Sequence, residues 1–176
     1  MKKRFLIPII SLLVLVMAFV GCVGGGATGT LEFYANGEDF VRQGFVSKDG
    51  WNITFDHVYV HLADITAYQT DPPYDPHSSA TINSDAKANL PSSYTVDLAD
   101  GDEDADPILV GAVQNIAVGH YNAVSWQMGK APSGPAAGYS LVMIGTAEKD
   151  DASIEFTISV EEQYRYSCGE YNRDER

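Results

Sequence analysis

Apolar and polar residues alternate along most of the chain after residue 30, which predicts β-strands with one buried and one exposed face. The cleanest half-buried strand is expected at 154–160, where every second residue is apolar: Ile154, Phe156, Ile158 and Val160. The segment 51–68 predicts the longest strand, with a bulge, and its two faces differ in chemistry. One face carries Val58, Val60 and Leu62, and the other carries His57, Tyr59 and His61.

Turn residues divide the rest of the pattern into short strands, and no segment predicts a helix. Further strands are expected at 31–35, 40–46, 94–98, 108–118, 121–128 and 139–147. The stretch 69–93 predicts a long loop, because its prolines remove N–H donors that a strand ladder needs. Seven or eight short strands separated by turns indicate an all-β fold, an antiparallel β-sandwich of immunoglobulin-like or transthyretin-like architecture over 31–176.

The first 21 residues are typical of a targeting segment. Basic residues at 2–4 precede the apolar run 5–20, and small residues then lead to Cys22. This arrangement resembles the signal of bacterial-type lipoproteins, in which the cysteine is acylated and residues 1–21 are removed. Residues 22–30 would then be the lipidated cysteine and a glycine-rich tether. The alternatives are a secretory signal without lipidation and a transmembrane anchor, for which about 16 apolar residues fall short of the roughly 20 required.

Charge excludes some partners. Residues 1–21 hold three of the 11 Lys and Arg and none of the 24 Asp and Glu, so the remainder carries a net charge of −16. Such a surface repels nucleic acid and anionic lipid headgroups. We therefore expect an exported protein of the cell envelope, in the periplasm or at the cell surface, whose membrane contact is its lipid anchor.

The chain has two cysteines, so acylation of Cys22 would leave Cys168 unpaired in an oxidising compartment. A metal, an intermolecular partner or a missing neighbour would each account for it. The chain ends at Arg176, soon after a strand-like segment. Two expectations stay open, a complete domain and a fragment truncated at its C-terminus.

The histidines are the main candidate metal ligands. His57 and His61 share a strand face but would lie ~13 Å apart on a straight strand, so each needs donors from elsewhere. His120, at the start of another strand, is the preferred third ligand, while His77 and Cys168 are further candidates. Imidazole suits copper and zinc, and a thiolate would favour copper(I). The alternative for each histidine is a polar surface or inter-strand position.

Two other patterns have both a binding and a structural interpretation. The carboxylates of the acidic run 100–106 could bind calcium, although the run does not follow the EF-hand pattern. The alternative is a solvated turn. Aromatic residues could form a platform for sugars or could fill the core: Trp51, Tyr59, Tyr121, Trp126 and Tyr139. The chain shows no nucleophile elbow, phosphate-binding loop or recognisable acid pair, so we predict that it is not an enzyme.

Three segments, 53–60 (ITFDHVYV), 94–98 (YTVDL) and 116–124 (IAVGHYNAV), carry a family resemblance. They resemble uncharacterised β-sandwich domains of secreted lipoproteins, where a hydrophobic strand, a "DL" strand and a "GxY" strand follow in that order. They are similar, less closely, to MbnP-like copper-associated lipoproteins. The first resemblance implies no activity. The second implies copper handling, with no ligand carried over to a residue of this chain.

The leading hypothesis is therefore an exported, lipid-anchored protein that binds copper or zinc in the cell envelope. The alternative is a non-catalytic structural, adhesive or glycan-binding surface lipoprotein, with an envelope protein or a glycan as its partner. Geometry separates the two. A metal site needs three donors within about 2.0–2.3 Å of one ion, whereas a glycan site needs two aromatic rings exposed on one face.

Overall fold

The computed structural model of the protein describes residues 26–78 and 81–170, which are mostly β-structure. In chain order the elements are β1 (Thr28–Ala35), α1 (Asp39–Arg42), β2 (Phe45–Val46), β3 (Asn52–Gln69), β4 (Ala86–Asn89), β5 (Tyr94–Asp97), β6 (Ile108–Ala117), β7 (Ala123–Met128), β8 (Leu141–Lys149), β9 (Ala152–Val160) and β10 (Tyr164–Gly169). Within these described ranges, no helix is long and apolar enough to cross a membrane.

Two antiparallel sheets form the fold. The small sheet contains β1 and β6, paired from Thr28 with Ala117 to Ala35 with Ile108. The large sheet has eight strands, with the central order β10-β7-β3-β8-β9, and β2, β4 and β5 pair with other parts of β3. The 18 residues of β3 allow one strand to have this many partners. The sheets do not close into a barrel, and the predicted antiparallel β-sandwich is confirmed.

Two bulges keep one face of β3 on the core. The register shifts near Asp56 against β8 and near Asp64 against β7, and Asp64 has a φ of 52°. A bulge inserts an extra residue and bends the strand. Because the second bulge adds a residue, Ile65 returns to the core face although it lies at an odd spacing from Val60.

The main core lies between the small sheet and the centre of the large sheet. Its buried members are Val41, Val58, Val60, Ile65, Leu90, Val96 and Val110. Aromatic side chains from both sheets, among them Phe33 and Trp126, pack against them. A smaller cluster of Ala131, Ala136 and Val142 involves the loop between β7 and β8. Val142 pairs with Tyr59, so this cluster lies on the face of β3 opposite to the core.

The small sheet leaves both flanks of the large sheet open. On β9, Ile154 and Ile158 are 52% and 48% exposed, and on β10, Tyr164 and Tyr166 are 46% and 40% exposed. The register places Ile158 opposite Met143 and Tyr166 opposite Trp126, and both of these partners pack against the core, so the two flanks continue the core face. The strand predicted at 154–160 exists, but its apolar face is largely uncovered.

Two local predictions were wrong. A helical turn, Asp39–Arg42, replaces most of the strand predicted at 40–46, because Val41 turns into the core and the end charges suit the helix dipole. The predicted loop 69–93 contains β4, which pairs with the end of β3. Its four residues, 86–89, lie in the proline-free part of that stretch, so all their N–H donors are available.

Candidate functional site

His57 lies on the face of β3 opposite to the core and is oriented by a carboxylate. Its Nδ1 is 2.6 Å from Oδ2 of Asp97, on the neighbouring strand β5. The other oxygen, Oδ1, accepts hydrogen bonds from the N–H groups of Val58 at 2.8 Å and Ala99 at 3.1 Å. The imidazole also stacks on Tyr59, with the ring centroids 4.9 Å apart. A carboxylate that hydrogen-bonds to an imidazole often orients a metal-binding histidine, but the same hydrogen bond can simply link two strands.

His61 is buried on the same face of β3. Its Nδ1 lies 2.9 Å from Oγ1 of Thr95, and burial lowers the pKa of His61 below its ordinary value of 6.5. Both backbone polar groups of His61 are hydrogen-bonded. The N–H donates to the carbonyl of Ser140 at 3.0 Å, and the C=O accepts from the N–H of Gly129 at 3.1 Å. The two ends of the loop between β7 and β8 therefore flank β3 at His61, which occupies an inter-strand position.

His120 and Cys168 line one open cleft at the far end of β3. The cleft has a volume of about 450 Å³. Nε2 of His120 lies 3.2 Å from Oε2 of Glu170, and both side chains are exposed. Cys168 is an exposed free thiol. Two of the predicted ligands thus share a cleft that neither His57 nor His61 lines.

The three preferred histidines are not brought together. His57 lies just before the segment of β3 that pairs with β5, whereas His120 precedes β7, whose first residue pairs with Tyr68. At about 3.3 Å per residue, the 11 residues from His57 to Tyr68 span roughly 36 Å of a straight strand. His77 lies on the following loop, where its N–H donates to Oδ1 of Asp75 at 2.9 Å. In the described part of the chain, no group of three or more His, Cys, Asp or Glu could hold a metal ion.

The acidic run 100–106 forms a turn that is fixed to α1. Arg42 Nη1 donates to the carbonyl of Ala105 at 2.7 Å, and Nη2 donates to that of Asp106 at 3.4 Å. Within the turn, the N–H of Asp104 donates to Oδ1 of Asp102 at 3.1 Å. These hydrogen bonds are sufficient to explain the conformation of the turn without a bound ion.

An exposed aromatic surface lies on the open flank of the large sheet. It consists of Trp126 on β7 with Tyr164 and Tyr166 on β10, and we call it the β10 aromatic surface. Tyr166 pairs directly with Trp126, and their rings stack at 5.4 Å with an interplanar angle of 21°. The Tyr164 ring lies 6.2 Å from that of Tyr166 at 42°. Strand alternation puts both tyrosines on one face, so they present adjacent rings to solvent.

Trp126 also lines an apolar cavity between the two sheets. The cavity has a volume of about 520 Å³. Its walls are almost wholly aliphatic or aromatic, and they include Phe33, Leu62, Met128 and Met143. The volume falls within the range of small-molecule pockets, roughly 300–1,000 Å³. The β10 aromatic surface therefore adjoins a concave apolar space.

The aromatic residues singled out in the sequence occupy other positions. Tyr59 and Tyr139 pack against the smaller core cluster. Tyr121 donates from its hydroxyl to the carbonyl of Ala117 at 3.0 Å, and Trp51 is half-buried. Only Trp126 belongs to the exposed surface, where it is half-buried and also packs on the core. The sequence signal for Tyr164 and Tyr166 was their i, i+2 spacing in a strand-like segment.

Cys22 lies outside the described residues. No protein-family model, curated protein or solved structure matches this chain.

Proposed function

We propose that this protein is an exported, lipid-anchored binding protein of the cell envelope that holds a carbohydrate on the β10 aromatic surface and catalyses no reaction. One observation carries the proposal. Tyr164 and Tyr166 are exposed on the same face of an edge strand, and Trp126 stacks beside Tyr166. Adjacent exposed rings on one face are what a sugar-stacking site requires.

The chemistry of these side chains suits a sugar. The face of an aromatic ring is electron-rich, so it attracts the weakly positive C–H groups on the flat side of a pyranose. The tyrosine hydroxyls supply both donors and acceptors at the rim of the surface for the hydroxyls of the sugar. The adjoining cavity would take an apolar group attached to the sugar.

The N-terminal segment supports export and anchoring. The basic start, the apolar run and the small residues before Cys22 are together typical of a lipoprotein signal. The experiment is growth with a clickable fatty acid, followed by purification of the protein and detection of the label. We expect labelling of the wild type and of Cys168→Ala but not of Cys22→Ala. Equal labelling of Cys22→Ala would contradict acylation at that residue.

The carbohydrate site is tested by screening the purified chain against immobilised glycans and measuring Kd for the best one by calorimetry. Tyr164→Ala and Tyr166→Ala should each weaken binding about tenfold, which is the loss of roughly 1.4 kcal/mol of stacking. Phe40→Ala is the control, because Phe40 is an exposed aromatic residue on α1 that lines neither the cavity nor the β10 aromatic surface. Absence of any glycan ligand, or an equal loss in Phe40→Ala, would contradict the proposal.

Copper or zinc binding is a second candidate, and the cleft shared by His120 and Cys168 favours it over the face that carries His57 and His61. A thiol and an imidazole in one cleft, with the carboxylate of Glu170 beside the imidazole, are chemically suited to Cu(I) or Zn²⁺. Among the described residues, no three donors in this cleft are close enough to hold one ion. A bound ion would therefore have to draw the side chains together or take a further donor from another molecule.

Metal content of the untagged protein, measured by mass spectrometry after export, tests this candidate. Near-stoichiometric copper or zinc should disappear in His120→Ala and Cys168→Ala and persist in His57→Ala. Metal-free protein that also fails to take up added copper or zinc would contradict it. Loss of metal in His57→Ala alone would move the site to the opposite end of β3.

A further inference from the structure

The free edge of β9 lacks the features that normally protect an edge strand. β9 is nine residues long and, among the described residues, pairs only with β8. Native sheets usually shield such edges with charges, prolines or bulges. The strand contains neither proline nor bulge, and its single charge is Glu155. This edge can therefore accept another strand along its full length.

The sequence of β9 is close to a palindrome. Read outwards from Phe156, the strand Ala-Ser-Ile-Glu-Phe-Thr-Ile-Ser-Val has isoleucine at both second neighbours and serine at both third neighbours. Two such strands that run antiparallel about a two-fold axis at Phe156 would place like beside like. Ile154 would face the partner's Ile158, and Glu155 would face the partner's Thr157, so the two Glu155 carboxylates would not face each other.

From this free edge and its self-complementary sequence we infer that the protein forms a two-fold symmetric dimer by antiparallel pairing of β9 with β9 of a second copy. A two-fold dimer is the commonest symmetric assembly, and it requires a surface that complements itself. The pairing satisfies the unpaired backbone groups of both edges. It also sets Ile154, Phe156 and Ile158 of each copy against the same residues of the other.

The β9 edge suits a second copy better than the β10 edge does. In the β10 strand, Tyr-Arg-Tyr-Ser-Cys-Gly, only Tyr164 and Tyr166 are related by symmetry, and a two-fold axis between them would set two Arg165 side chains against each other. The Arg165 guanidinium also pairs with Asp64 at 3.0 Å. The ends of the β9 pairing also predict a salt effect. Asp151 would lie opposite the partner's Glu161, so the acidic ends repel and added salt should strengthen the dimer.

A charge swap tests the register. In the full chain purified in detergent, sedimentation velocity should show Ile154→Lys and Ile158→Glu each weakening dimerisation about tenfold, because a charge then faces an isoleucine at both symmetric contacts. The double variant I154K/I158E should recover most of the affinity, since each lysine faces the partner's glutamate. Residues 154 and 158 of one copy lie about 13 Å apart, so they cannot pair within a chain.

Cross-linking keeps the test decisive if a charged variant fails to fold. In a Cys168→Ser background, Phe156→Cys places two thiols across the axis at a spacing compatible with a disulfide, whereas Ile154→Cys places them about 13 Å apart. Oxidation should join Phe156→Cys chains at least tenfold more efficiently than Ile154→Cys chains. A monomeric wild type at about 100 μM, a dimer indifferent to both single substitutions, or equal cross-linking would overturn the inference.

Discussion

The centre and the β9 flank of the large sheet have the same kind of sequence but different surroundings. Val58 and Val60 on β3 alternate with polar residues, as Ile154 and Ile158 do on β9. The first pair is buried beneath the small sheet, and the second pair is about half exposed. Both pairs lie on the same face of one sheet. The difference therefore comes from what lies above the face and not from the strands themselves.

This contrast shows which parts of the large sheet have no second layer above them. Two strands cannot cover a sheet whose central path is five strands wide. The uncovered flanks carry aliphatic side chains on β9 and tyrosines on β10, which suit different partners. Soluble monomers rarely leave apolar surface of this kind unused, so both flanks are candidates for interaction.

The largest expected contrast is in stability, between Ile65→Ala and Ile158→Ala. Ile65 is 6% exposed in the main core, and its truncation leaves a cavity that should cost about 2–5 kcal/mol. The same truncation at Ile158 should cost about 1 kcal/mol or less, because its side chain is half in solvent already. Urea unfolding at a protein concentration that keeps the chain monomeric measures both. Equal costs would mean that the flank is covered in solution.

The next largest contrast in stability is expected between Asp97→Ala at the centre and Glu155→Ala on the flank. Asp97 accepts hydrogen bonds from two backbone N–H groups and contacts His57, so its removal leaves the Val58 N–H without this acceptor. We expect a loss of about 1–3 kcal/mol in the free energy of unfolding. Glu155 is exposed, and its replacement in the monomer should change stability by less than about 0.5 kcal/mol. A larger loss for Glu155→Ala than for Asp97→Ala would contradict this account of the centre.

The smallest effect concerns pH. Burial lowers the pKa of His61 below 6.5, so between this lowered value and 6.5 the unfolded chain binds more protons than the folded protein. Stability should therefore decrease as pH falls through 6.5 and should not depend on this group at higher pH. His61→Gln should flatten this part of the profile of unfolding free energy against pH. His120→Gln is the control, because His120 is exposed. If the two variants gave identical profiles of unfolding free energy against pH, His61 would not be the cause of the pH dependence.

Local pattern was sufficient to predict most of the strands but not their neighbours in the sheets. The alternation over 51–68 correctly predicts the long bulged strand β3, because period two is a property of the backbone. The same reasoning expected 154–160 to be half-buried, and there it fails, since burial depends on a second layer that no local pattern encodes. The helical turn at Asp39–Arg42 was missed because four residues cannot display a 3.6-residue period.

The candidate sites were less predictable than the strands. His57 and His61 lie on one strand face as expected, but His120 lies near the opposite end of β3, because the pairing of β7 with β3 was not visible in the sequence. The exposed tyrosines were missed because their exposure follows from the position of β10 at an edge.

The sequence by itself determined the all-β class, the division of strand residues into apolar and polar faces, and the acidic surface. Each of these depends on residue type and on spacing along the chain. Only the tertiary structure decided which apolar faces are buried, that His120 shares a cleft with Cys168, and that Tyr164 and Tyr166 form one surface with Trp126. These features depend on the order and width of the sheets, which arise from contacts between residues far apart in the chain.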